Sequence, residues 1–118
     1  GASGGHCDTA AEAKLAIIVA PLTRGRIPTI TNRVNTIVTP GSSVDVVVTD
    51  QGIAVHPRHK ELGAKLKKAG LDVVDMQELY ERAIALCGVP QEIKYTDKVV
   101  AVIRYRDGSV IDVVRQLA

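Results

Sequence analysis

Phenylalanine and tryptophan are missing from these 118 residues, and tyrosine occurs three times. A core must therefore be assembled from Val, Ile, Leu and Ala, and the aromatic platforms on which single-stranded nucleic acids stack are lacking. Charge gives no more support to a nucleic-acid partner. Fifteen Lys and Arg against thirteen Asp and Glu leave a net charge of +2, with no concentrated basic stripe. Long apolar runs are also missing. The longest, residues 15–22, is far below the about 20 residues of a membrane-spanning helix, and it lacks the basic flank and cleavage pattern of a signal peptide. Cysteine is reduced to Cys7 and Cys87, which form no disulfide framework, so reduced thiols in a cytoplasmic protein are expected. Repeats, low-complexity stretches and linkers are not visible, and residues 1–118 are expected to form a single domain.

What is present is an aliphatic chain, 46% hydrophobic and 24% charged, with valines clustered in short runs that favour strands. Residues 7–14 read as a short helix rich in alanine. "LAIIVAP" is a continuous apolar run stopped by Pro21, the pattern of a strand buried on both faces. A strand is expected over residues 34–38, and two more over 44–49 and 53–56 around a turn at Gln51-Gly52. Residues 58–69 and the stretch opened by Asp75-x-x-Glu78 carry helical periodicity, closed by Gly70 and Gly88. In "KVVAVIRYRDGSVIDVVRQL" two β runs flank Asp107-Gly108, a strong hairpin signal. A two-residue turn there sets Arg104, Arg106 and Arg115 on one face and leaves Asp112 on the apolar one, as a paired structural carboxylate. The expected fold is α/β, a mixed open sheet with flanking helices.

Several stretches carry chemistry. In "SGGHCD" two glycines precede a helix, so backbone can approach a ligand closely and N–H groups face a phosphate, carboxylate or oxyanion. The plain alternative is a turn in which Asp8 caps the helix. A metal on His6-Cys7-Asp8 is disfavoured, because adjacent residues rarely converge on one ion and no second Cys/His cluster follows. A reactive Cys7 thiolate lacks a marked base among His6, His56 and His59. Arg24 and Arg26 of "LTRGRIPT" suit a phosphate or carboxylate, or are simply exposed. "HPRHK" with Lys65, Lys67 and Lys68 reads as a solvated face or as a surface for an acidic partner.

Taken together, "SGGHCDTAAEAKLAIIVAPLTRGRIPTI", "TPGSSVDVVVTDQGIAVHP" and "VVAVIRYRDGSVIDVVRQ" resemble the citrate lyase alpha-subunit family, the citrate CoA-transferase subunits. Wider CoA-transferases share a Gly-Gly-x-x-Asp turn, matched by Gly4, Gly5 and Asp8, and a segment like Thr49-Asp50-Gln51-Gly52-Ile53-Ala54. The resemblance implies a CoA-transferase-type fold and the C-terminal portion of a longer subunit, inactive by itself, whose site is shared with an N-terminal half. It further implies exchange of acetyl for citryl on the thiol of an acyl carrier protein that bears a CoA-type prosthetic group. The implied partners are the beta (citryl lyase) and gamma (acyl carrier) subunits in an oligomeric cytoplasmic complex, without metal, nucleic acid or membrane span. Gly4, Gly5 and His6 are the implied catalytic positions, and Ser3, Asp8, Arg24 and Arg26 the implied substrate- or CoA-binding ones. The glutamate nucleophile of many CoA-transferases has no match here. Two other roles are compatible with the same residues: a non-catalytic assembly domain of the complex, with the three hairpin arginines as contact surface, or a transferase or hydrolase acting on free CoA.

Overall fold

The computed structural model describes residues 5–118. A mixed sheet of four strands forms its centre, in the order β1-β4-β5-β6, where β1 is Ile17–Val19, β4 Val46–Thr49, β5 Gly52–Val55 and β6 Val73–Val74. β1 and β4 run parallel, β4 and β5 form an antiparallel hairpin, and β5 and β6 are parallel again. The register aligns Ile18, Val47, Ala54 and Val74 across the strands, and the side-chain period of two puts all four on one face. Helix α3 (Met76–Cys87) covers that face, inserting the fully buried Leu79 and Ala83. Leu22 and Ile30, which flank a small hairpin of β2 (Thr23–Arg24) and β3 (Ile27–Pro28), complete the core. Helix α2 (Lys60–Lys68) runs against the other face, where Gly63 lies beside Val55.

Helix boundaries follow local chemistry. Asp75 caps α3 by accepting the Glu78 N–H at 2.7 Å, and Gly88, at φ +76°, ends it. Pro57–His59 forms one 3₁₀ turn ahead of α2, so the helix expected from residue 58 starts two residues later. Helix α1 spans His6–Glu12. Its N-cap is Gly5 rather than Asp8, which lies inside the first turn. The capping role expected of Asp8 is therefore corrected: an N-cap precedes the helical dihedrals, and Asp8 already has them.

Other expectations change as well. "LAIIVAP" forms the three-residue β1, but at the sheet's edge, with Ile17 51% and Val19 77% exposed instead of buried. Residues 34–38 make no strand, because their polar groups tether another element: the Ile37 N–H donates to Asp112 Oδ2 and Thr36 Oγ1 to the Val113 carbonyl. The β4–β5 turn is Asp50-Gln51, one residue earlier than expected, since Thr49 pairs with Gly52.

The C-terminal hairpin consists of β7 (Tyr95–Arg104) and β8 (Val110–Leu117), and forms its own two-stranded sheet. Ile103 pairs with Asp112, as a two-residue turn would require, but Arg104 then pairs with Val110 and leaves Ile111 as a bulge. The tip is accordingly five residues, closed by a Tyr105 N–H to Ser109 carbonyl bond. Arg106 reaches Glu12 of α1, while Arg115 donates to the Asp97 carbonyl. The molecule is a slab of 49 × 36 × 19 Å with a radius of gyration of 15.8 Å. A compact chain of this length has about 13 Å.

Candidate functional site

Gly5 leads into α1, and α1 and β1 together wall a cleft of about 540 Å³ lined by Gly5, His6, Thr9, Ala13, Leu15 and Ile17. Gly5 sits at φ −64°, ψ 0°, which any residue adopts, and a Cβ there would meet nothing nearer than Thr9 Oγ1 at 4.0 Å. Neither backbone conformation nor packing among the described residues requires glycine at this position. Its bareness leaves the main chain open to the cleft. The Gly5 carbonyl is engaged within the helix, accepting the Thr9 N–H at 2.9 Å and the Thr9 hydroxyl at 2.7 Å. His6 and Asp8 are exposed. Ser3 and Gly4 lie outside the described residues.

Arg24 and Arg26 are placed elsewhere. They flank Gly25, at φ +60°, on the tip of the β2–β3 hairpin, which packs on α3, whereas α1 packs near the 3₁₀ turn Gly41–Ser43. Both are exposed and make no ion pair among the described residues, so their guanidinium groups are available to an anion. The turn and the arginines do not line a common cleft among those described.

Three aspartates hold this arrangement by capturing main-chain N–H groups of remote segments. Asp45, 5% exposed, accepts the Ala16 N–H at 2.7 Å, and so fixes the joint between α1 and β1. Its other oxygen takes Arg58 and, at 2.6 Å, His59 Nε2, while Arg58 also donates to the Ser42 carbonyl. The Ala16 N–H, then Arg58 and His59, hold the Asp45 carboxyl far below the usual carboxylate range. Asp50 accepts the Leu22 N–H at 2.7 Å, which lowers its pKa and ties the Thr49–Ala54 segment to the start of the arginine hairpin. Asp112, expected to be a paired carboxylate, is satisfied by the N–H groups of Ile37 at 2.8 Å and Val113 at 2.7 Å, and these lower its pKa.

Sequence reasoning assigned no role to Asp45 or Asp50. The available signal was Asp45 itself, a lone carboxylate inside the apolar run "VDVVV", where an ionised group survives only with several donors around it. "HPRHK" is likewise more than a solvated surface, because Arg58 and His59 are the side-chain partners of Asp45.

Comparison with known proteins places this geometry in context. The family model for the citrate lyase alpha subunit (CitF) matches residues 1–117. The chain is 63% identical over 117 residues to the citrate lyase alpha chain of Escherichia coli K12 and 61% identical over the same length to that of Klebsiella pneumoniae, covering 99% of this chain and 23% of each relative. A Streptococcus mutans chain solved as the alpha subunit of citrate lyase in complex with citrate superposes with a TM-score of 0.94 at 54% identity, over all of this chain and 23% of that one. The 118 residues thus span about a quarter of the length of the relatives they match.

Proposed function

Because the chain belongs to the citrate lyase alpha-subunit family, we propose that it contributes the glycine-turn half of an acyl-exchange site. Acetate on the carrier protein's thiol is replaced by citrate. A citrate carboxylate attacks the acetyl thioester, releasing the carrier thiolate and forming a mixed anhydride. The thiolate then attacks the citryl carbonyl of that anhydride and expels acetate. Both attacks build negative charge on a carbonyl oxygen, and main-chain N–H groups at Gly4 and Gly5 serve that charge without a strong nucleophile. Ser3 or His6 adds a hydrogen bond, and Asp8 stands in the first turn of α1.

Arg24 and Arg26 take the remaining citrate carboxylates or the phosphates of the CoA-type prosthetic group. Their exposure and lack of ion-pair partners among the described residues suit anion binding. Since they lie apart from the turn, the remainder of the subunit completes the site, and the 118 residues alone are inactive. The beta and gamma subunits are the partners, in a cytoplasmic complex.

One observation carries this reading: Gly5 opens onto a cleft although its backbone would accept a side chain. The test follows from it. Gly5→Val in the full-length subunit leaves folding and complex formation intact and lowers acyl exchange about 100-fold or more, the order expected when an oxyanion donor is lost. Unchanged exchange would remove the turn from the site.

A further inference from the structure

We propose that the outer edge of β1 receives an extended strand from the part of the subunit outside these 118 residues, and that the same segment walls the cleft at Gly5 and His6. The first half is independent of the acyl-exchange reading; the functional meaning of the second rests on it.

The geometry of β1 defines the acceptor. Ala20 donates to the Val48 carbonyl at 3.1 Å and the Ala16 carbonyl accepts the Val46 N–H at 3.2 Å. Alternation along a strand then turns the N–H groups of Ile18 and Ala20 toward β4, and those of Ile17 and Val19 away from the sheet. These outward groups belong to the most aliphatic stretch of the chain. Leu15 is 41%, Ile17 51%, Ile18 38% and Val19 77% exposed. A parallel β1–β4 pair with apolar residues on both sides is the composition of a sheet interior, not of an edge, where lysine, proline or a bulge ordinarily blocks further pairing.

The occupant follows from length. The S. mutans chain contains this whole fold in 23% of its own length, so the rest of such a subunit is more than three times larger than the part with the open edge. A covalently linked segment has an effective concentration that no second copy matches. The cleft that begins at Gly5 and His6 ends on Leu15, Ile17 and Ile18, so a segment lying along β1 borders it directly.

The test uses the full-length alpha subunit without its partner subunits. Residue-resolved amide hydrogen exchange is expected to show Ile17 and Val19 protected to within about tenfold of Ile18 and Ala20. Rapid exchange at Ile17 and Val19, with Ile18 and Ala20 protected, overturns the proposal. Protection that vanishes on dilution assigns the edge to a second copy and overturns it as well. Val19→Pro supplies a second readout. Proline removes only the outward N–H, so an open edge tolerates it, whereas a paired edge loses thermal stability. For the wall, Ala13→Cys is expected to react with a thiol reagent at least about tenfold more slowly than Glu81→Cys on exposed α3 surface, the protection a covered site gives. Equal rates remove the second half. Neither readout involves acyl exchange, so failure here and failure of the proposed function are separately visible.

Discussion

Gly52→Ala should be among the most damaging single-carbon additions in this fold. Gly52 is buried at the start of β5, with φ at +144°, where L residues are strained. A Cβ there would lie 3.1 Å from Leu79 Cδ2, 3.1 Å from Arg82 Nη1 and 3.4 Å from Val74 Cγ2. Arg82 can swing aside, although it would loosen its bonds to the Gln51 carbonyl, Asp72 and Glu78. Leu79 cannot, because it is fully buried between the sheet and α3. Backbone strain contributes about 1–3 kcal/mol and overpacking about 1–3 kcal/mol more. The expected loss is about 2–6 kcal/mol, a large share of the about 5–15 kcal/mol that keeps a domain folded. Urea unfolding of the full-length subunit measures it as a lowered midpoint. Gly108→Ala is the control: φ is +86° and nothing lies within 4 Å, so only the backbone contribution remains. Adding Leu79→Ala to Gly52→Ala should give less than the sum of the separate losses, since truncation opens the space that the new methyl needs. Equal midpoints for the Gly52 and Gly108 variants would refute the packing explanation of this glycine.

Acid should release the aspartate tethers. Asp45, Asp50 and Asp112 all have lowered folded-state pKa values, so their contribution is complete above the ordinary carboxylate value of 3.8 and fades as pH falls below it. Asp50→Asn should therefore cost stability at neutral pH and progressively less as pH falls below 4, a convergence that thermal melts across pH would reveal. Exchanging Arg24 and Arg26 for glutamate should raise the KM for citrate or for the acylated carrier at least about tenfold, the effect of losing a charge-assisted contact. The melting temperature should stay unchanged, because both residues stand on an exposed hairpin tip.

The elements marked by local chemistry were legible in the sequence. Asp75 and Glu78 opened α3, Gly88 closed it, and "VVAVIRY" with "VIDVV" formed a hairpin whose central register was set by alternation. The position of "LAIIVAP" was not legible, because a strand built for a sheet interior has the same composition whether or not its neighbours are within the 118 residues. Residues 34–38 carried a strand pattern, yet their donors went to Asp112 and Val113, a choice decided about 75 residues away. At the candidate site the glycine turn was visible, but its neutral dihedrals at Gly5 were not, and the tethering roles of Asp45 and Asp50 depend on partners 29 and 28 residues distant.

Those separations have a kinetic consequence. Closing the 75-residue interval between Ile37 and Asp112 costs only about 1 kcal/mol more in chain entropy than closing the 28 residues between Leu22 and Asp50. In the chain entropy of closure the three tethers are therefore near equals. In time they are not. The β7–β8 hairpin is made of short-range pairs, whereas its attachment through Asp112 must await a long-range encounter. Weakening that attachment should chiefly accelerate unfolding and leave the folding rate almost untouched, the mark of a contact made after the main barrier. On this expectation the C-terminal hairpin docks late, and stopped-flow unfolding of Asp112→Asn in the full-length subunit checks it.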